Sequence, residues 1–159
     1  MKRNVLVFSI SLFIIGFIFT SCEKDEYLDW KYLNEAWLDE HASDSGWVVE
    51  SNGVQYRILN KEGVGYRTPN EKSTVYIKYT GIYINGDTLR PTGIERNSLT
   101  GYPVGMQQIL KKMRVNDEYE VRIPHDLGYG KEGGISIPSY TTLIYRVRLL
   151  GFSSYNEYE

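Results

Sequence analysis

Cysteine and histidine are almost missing from this chain: 159 residues hold one of the first, Cys22, and two of the second, His41 and His125. A single thiol excludes an internal disulfide. There is no Cys pair and no His-x-x-x-His, and the acidic residues are scattered or alternate along strands. The spacing that holds zinc or calcium is therefore absent, and neither a metal nor any other cofactor is expected. A nucleophile beside a base is lacking too. No Ser stands in a Gly-x-Ser-x-Gly elbow, and His125, following Pro124 at a strand end, reads as a plain loop residue. Gly63-x-Gly65 has no third glycine and no following helix, which rules out a dinucleotide fingerprint. Excess positive charge is also missing. The formal charge is −2, and without Lys2 and Arg3 the remaining 16 basic side chains face 20 acidic ones, so nucleic acid is not an expected partner.

What the chain does have in quantity is tyrosine, 14 residues, beside three tryptophans. In a small β-rich domain these serve as core and strand residues; the alternative is that some line a binding groove. The length leaves room for one domain of ordinary size plus something at its N-terminus.

That N-terminus has the order of a secretory signal: Lys2 and Arg3, an apolar run over residues 5–19, then Thr20-Ser21-Cys22. The run is too short and asymmetric for a spanning helix. The Phe19-Thr20-Ser21-Cys22 junction resembles a bacterial lipobox, which implies a signal peptide over residues 1–21 and a lipid on Cys22 that holds the chain at a membrane. The charged run Glu23-Lys24-Asp25-Glu26 resembles the acidic export signal of Bacteroidetes surface lipoproteins, and otherwise reads as a solvated tether. Residues 27–41, YLDWKYLNEAWLDEH, put Trp30, Leu33 and Trp37 on one helical stripe, with Tyr27 and His41 at its ends. An amphipathic helix packed on the sheet is expected, since a Trp stripe is costly to leave wet; contact with a partner or with the groove is the alternative. ASDSG at 42–46 reads as a small-residue linker closing the segment 22–46.

From residue 47 onward the period is that of strands. GVQYRIL at 53–59 alternates, and Val75, Ile77 and Tyr79 share one face in a strand continuing past Gly81 to Ile84. Asn85-Gly86 marks a hairpin, since both tolerate positive φ. The polar residues 90–100, with Pro91 and Gly93, read as a long loop. Residues 104–113 form a short amphipathic helix turning Met106, Ile109, Leu110 and Met113 toward the sheet. Then Tyr119, Val121 and Ile123 alternate with the wet Glu118, Glu120 and Arg122, and Leu143, Tyr145, Val147 and Leu149 alternate with Arg146 and Arg148. Between these two strands lies a Gly-rich loop bearing Leu127, Tyr129, Ile135, Ile137 and Tyr140. Strands before and after one helix, without βαβ alternation, give an α+β fold with an antiparallel sheet wrapped over a single helix.

The ordered pieces Val75 to Gly81, Asn85-Gly86, Ile123-Pro124, Tyr129-Gly130, Ile137-Pro138 and a closing Leu143 to Leu150 strand resemble the FKBP-type peptidyl-prolyl isomerases over roughly residues 53–152. The resemblance implies that family's fold, a curved antiparallel sheet over one short α-helix, here over residues 47–159 and preceded by the amphipathic helix. It also implies a peptidyl-prolyl cis-trans isomerase acting on proline-containing exported or envelope polypeptides, without a cofactor. A monomer is expected, and the lipobox-like junction adds a lipid anchor at the outer membrane, with display at the surface if the acidic run acts as an export signal. By resemblance the catalytic roles fall on Tyr129, Tyr79 and Ile137, with the Tyr129 hydroxyl and the Ile137 backbone N–H as donors to substrate carbonyls. Substrate contacts fall on Leu89, Arg90, Tyr102, Pro103, Met106 and Tyr145. Tyr79 and Tyr145 also satisfy the buried face of their strands. The chain departs from the family where Leu89-Arg90 replaces Phe-Asp and where Met106 replaces a Trp, exchanging a carboxylate for a cation and an indole floor for a thioether. If each lost contact contributed about 2 kcal/mol to the transition state, each would slow rotation by a factor on the order of tens. Two other classes stay open: a non-catalytic module of the same fold that binds peptide or an envelope partner, and a surface lipoprotein whose tyrosines bind glycan.

Overall fold

The computed structural model describes residues 27–63 and 65–154. The signal-like segment, Cys22 and the acidic run lie outside the described residues. Among the described ones no helix is long and apolar enough to cross a membrane, and no cluster of His, Cys, Asp and Glu could hold a metal ion.

In chain order the elements are α1 (Leu28–Glu40), a 3-10 turn at His41–Ser43, β1 (Val48–Val49), β2 (Gln55–Asn60), β3 (Thr74–Ile82), β4 (Thr88–Ser98), a 3-10 turn at Leu99–Gly101, α2 (Val104–Leu110), β5 (Glu118–Ile123), a 3-10 turn at His125–Leu127, and β6 (Leu143–Ser153). The strands form one six-stranded sheet in the order β1-β2-β5-β6-β3-β4. All its pairings are antiparallel. The inner face carries the alternating residues the sequence marks: Val75, Ile77, Val121, Ile123, Leu143, Val147 and Leu149 are buried, and α2 lays Met106, Ile109 and Leu110 on them, followed by Met113. Removing each of these aliphatic side chains from water contributes about 2 kcal/mol, so this layer is the main source of stability. α2 reaches the sheet closely because Gly105 faces Ile123, whose Cγ2 would collide with any Cβ there.

Several expectations are corrected. The polar stretch 90–100 is not a loop: most of it is β4, paired to β3 through Tyr79↔Gly93, Ile77↔Glu95 and Tyr76↔Arg96, with register shifts near Gly81. β4 is an edge strand, so Pro91, with no N–H to give, and Gly93 cost it no ladder bond to an outer neighbour. The hairpin before it turns on Gly86 at φ +86°, while Asn85 stays at negative φ.

The helix stripe is shifted. Leu33 is 56% exposed and Asn34 wholly buried. The surface that α1 covers is the outer face of the sheet where β5 ends and β6 begins, and that surface is polar, which is why an amide suits it better than an alkyl chain. Asn34 Nδ2 donates to Trp30 O at 2.8 Å and its Oδ1 accepts the Thr142 N–H at 2.8 Å, so the buried amide is satisfied at both ends.

Arg122, expected on the wet face, is 7% exposed. Its guanidinium donates to His41 O (2.8 Å), Gln55 Oε1 (3.2 Å) and Asp44 Oδ2 (2.7 Å). It also stacks 3.5 Å over the Trp47 ring. A planar cation with five donors can be buried when its protons are taken this way. The segment read as a linker is thus a turn clamped to the sheet. His125, expected in an open loop, is buried beneath α1, with Nε2 3.0 Å from Glu35 Oε1.

Candidate active site

One cavity of about 790 Å³ opens between the inner face of β3, β4 and β6, the start of α2 and the loop after β5. Tyr79, Leu89, Arg90, Tyr102, Pro103, Met106, Tyr129, Ile137 and Tyr145, the residues singled out from the sequence, all line it. Each is delivered by a different local cause. Tyr79 and Tyr145 stand at buried positions of neighbouring strands, so their rings meet edge to face with centroids 5.7 Å apart. Tyr102 reaches Tyr79 from the turn before α2, at 6.4 Å and 86°. Met106, at 1% exposure, is the floor because it lies on the sheet-facing side of the helix. Apart from Arg90 and Glu95, which pair with each other, the wall is mostly phenol and alkyl surface, a poor solvent for an unpaired charge.

The hydroxyls differ in what they do. Tyr79 Oη donates to Glu95 Oε2 at 2.7 Å. Burial pushes that phenol well above its usual pKa, and the Glu95 hydrogen bond adds to the rise. Tyr102 and Tyr145 are pushed up mainly by burial, with Glu95 next for Tyr102 and the neighbouring Tyr129 next for Tyr145. All three stay protonated at any physiological pH. The Tyr102 hydroxyl is buried with no hydrogen-bond partner among the described residues. Tyr129 is 40% exposed and lines the cavity. Its hydroxyl makes no hydrogen bond within the described residues, which leaves it free to donate outward. The Ile137 N–H is not free. It donates to Gly134 O at 3.2 Å while Gly134 N–H donates to Ile137 O at 2.8 Å, closing the loop's tip on itself.

Glu95 is the residue that sequence reasoning missed. It stands on β4, lines the cavity, and its Oε2 accepts from Arg90 Nη2 at 2.8 Å as well as from Tyr79. Arg90 lies over the Tyr79 ring, 5.0 Å from its centroid. The exchange of carboxylate for cation at position 90 is therefore only half of the arrangement: a carboxylate enters the wall from five residues further along. A single Glu in a segment read as loop carries no signal of this. Only the alternation of Gly93, Glu95 and Asn97, half-buried against exposed Ile94 and Arg96, hints at it.

Residues 65–150 match the family model described as FKBP-type peptidyl-prolyl cis-trans isomerase. Over 120 residues the chain is 34% identical to the FKBP-type 22 kDa peptidyl-prolyl cis-trans isomerase of Escherichia coli K12, covering 72% of this chain and 57% of that protein. Over 125 residues it is 31% identical to the outer membrane protein MIP of Legionella longbeachae, covering 76% of this chain and 53% of the relative. The chain thus spans about half the length of the curated relatives it matches. Among solved structures, a peptidyl-prolyl cis-trans isomerase from Pseudomonas syringae superposes with a TM-score of 0.72 at 22% identity, over 80% of this chain and 96% of that one, a likeness of fold. FkpA from Escherichia coli superposes with a TM-score of 0.70 at 26% identity, over 79% of this chain and 60% of that one.

Proposed function

The chain belongs to the FKBP-type peptidyl-prolyl cis-trans isomerase family, and from that premise we propose that its phenol-walled slot accelerates rotation about Xaa-Pro bonds in other polypeptides. The observation that carries this is the pairing of a largely apolar cavity floored by Met106 with a solvent-accessible hydroxyl in its wall, that of Tyr129, which has no partner among the described residues. An amide resists twisting by about 18–20 kcal/mol because its C–N bond shares the carbonyl's electrons. That sharing places negative charge on oxygen and positive charge on nitrogen, a form favoured by water and disfavoured in a slot of methyl, thioether and phenol groups. A proline ring seated against Met106, Tyr79 and Tyr145 loses its water, which weakens the double-bond character. The Tyr129 hydroxyl then donates to a carbonyl of the twisted chain. No proton is exchanged, so the slot needs neither a nucleophile nor a base.

A relative named as an outer membrane protein supports association with the cell envelope. On that ground we place the chain there, lipid-anchored through Cys22, with proline-containing exported polypeptides as substrates. Mixing the chain with a Xaa-Pro peptide and following cis to trans conversion tests the activity. Wild type should add to the uncatalysed rate, and Tyr129→Phe should reduce the gain about five- to thirtyfold, the equivalent of one hydrogen bond of about 1–2 kcal/mol. The thioether floor favours a second reading, a module that binds peptide without turning it. If wild type adds nothing while Met106→Trp does, that second reading is the right one.

A further inference from the structure

We propose that α1 is a positioning element of the slot: Trp30, Asn34 and Glu35 grip both stems of the loop over residues 124–142 and so set where Tyr129 and Ile137 stand. The role in turnover rests on the slot being the isomerase site; the grip itself rests on geometry alone. At the loop's start, the buried His125 places Nε2 3.0 Å from Glu35 Oε1. The His125 carbonyl accepts the N–H groups of Gly128 and Gly130 at 2.9 and 2.8 Å, so the turn that carries Tyr129 is tied to the same residue. At the loop's end, Trp30 Nε1 donates to Thr141 Oγ1 at 3.0 Å, and that hydroxyl donates to Pro138 O at 2.8 Å. Asn34 takes the next N–H, that of Thr142, at 2.8 Å. At the tip, the Trp30 ring meets Tyr83 edge-on at 6.4 Å, and the Tyr83 hydroxyl donates to Ser136 O at 2.9 Å.

A Gly-rich loop of this length is ordinarily among the first parts of a domain to open. Here Tyr140 holds φ at 59°, a backbone state that a non-glycine residue keeps only where its surroundings impose it. Its N–H reaches back to Gly130 O at 2.8 Å, joining the two stems. A loop held in one arrangement keeps the slot competent in most, though not all, copies, and a loosened one dilutes apparent affinity by the competent fraction that remains.

Two variants of the full chain separate the grip from general stability. Asn34→Leu keeps the branched shape and removes both amide hydrogen bonds; Trp30→Phe keeps one aromatic ring on the Tyr83 side and removes the indole N–H together with the second ring. In hydrogen exchange, the amides of residues 126–142 should open on the order of tenfold faster while those at the centres of β3 and β6 keep their rates. On the Xaa-Pro peptide, KM should rise several-fold with kcat within about twofold of wild type, and saturating peptide should restore slow exchange in the loop. Unchanged loop exchange in a folded variant overturns the proposal, as does faster exchange with KM left at the wild-type value. If wild type neither binds nor turns over the peptide, the isomerase reading has failed instead, and the exchange rates alone decide whether α1 orders the loop.

Discussion

Removing the Glu95 side chain tests the logic of the slot's wall, because one carboxylate oxygen serves two partners in unlike surroundings. Tyr79, which donates to it at 2.7 Å, is 7% exposed. Arg90, which donates at 2.8 Å, has 54% of its side chain in water. A hydrogen bond from a buried hydroxyl to a charged acceptor contributes about 1.5–3 kcal/mol, and leaving the phenol unpaired costs about 1–3 kcal/mol. An exposed ion pair contributes about 0.2–1 kcal/mol, since water and salt screen it. Two double-mutant cycles measured by urea unfolding read these separately. Tyr79→Phe with Glu95→Ala should show a coupling of about 1.5–2 kcal/mol, at the low end because Glu95 itself is 29% exposed. Arg90→Ala with Glu95→Ala should show about 0.5 kcal/mol. With a urea slope of about 1–3 kcal/mol per molar, the first coupling is on the order of 1 M in midpoint and well resolved. Equal couplings, or a larger one for the arginine, would refute the claim that burial sets the worth of each contact. Glu95→Ala should also lower peptide turnover several-fold, as the Tyr79 ring loses the partner that fixes it.

Arg122→Ala should destabilise the fold by about 3 kcal/mol, read by chemical unfolding, because it strips donors from three buried or half-buried acceptors and empties the stack on Trp47. Gly81→Ala places a Cβ 2.7 Å from Tyr145 Cε1 and 3.3 Å from Leu89 Cδ2, so the ring must shift toward the slot. A loss of about 1–3 kcal/mol and a rise in KM are expected, and an unaltered KM would show that the Tyr145 wall does not touch substrate. Tyr79, Tyr102 and Tyr145 all have folded-state pKa values above the unfolded value of 10.0, so between the two the folded chain binds more protons. Their contribution to stability is complete below pH 10 and is lost as pH rises beyond it. Unfolding midpoints should therefore be insensitive to these groups up to about pH 9 and fall above it, with the phenolate absorbance of these three, a step added to that of the exposed tyrosines, appearing only as the chain opens.

The inner face of β5 and β6 was legible because it obeys a two-residue period: Tyr119, Val121 and Ile123, then Leu143, Tyr145, Val147 and Leu149, are all buried. The outer face was not. Arg122 and His125 are polar residues covered by α1 and the turn after it, which lie far from them in sequence, and Asn34 is buried on the underside of that helix; one-dimensional pattern cannot say which polar positions acquire a lid. β4 was hidden for a different reason, since Pro91 and Gly93 look like loop residues and only an edge position excuses them. The slot's residues were found through the order of short motifs rather than through chemistry. Which of their groups are already engaged, Ile137 N–H by Gly134 and Tyr79 by Glu95, is a matter of distance that no motif encodes.

The strand order has a consequence for how this molecule comes into being. β6, the last of the described strands, lies between β5 and β3, and joins a β1-β2-β5 ribbon to a β3-β4 ribbon that share no strand pairing otherwise. While a nascent chain is still short of residue 143 it owns two half-sheets with open seams and no closed interior. Such a molecule cannot assemble piecemeal from its front end; it must wait, unsealed, and then zip along both seams at once, the slow non-local step of its folding. A copy truncated before that strand is left with two bare ribbon edges, each a template for its neighbours.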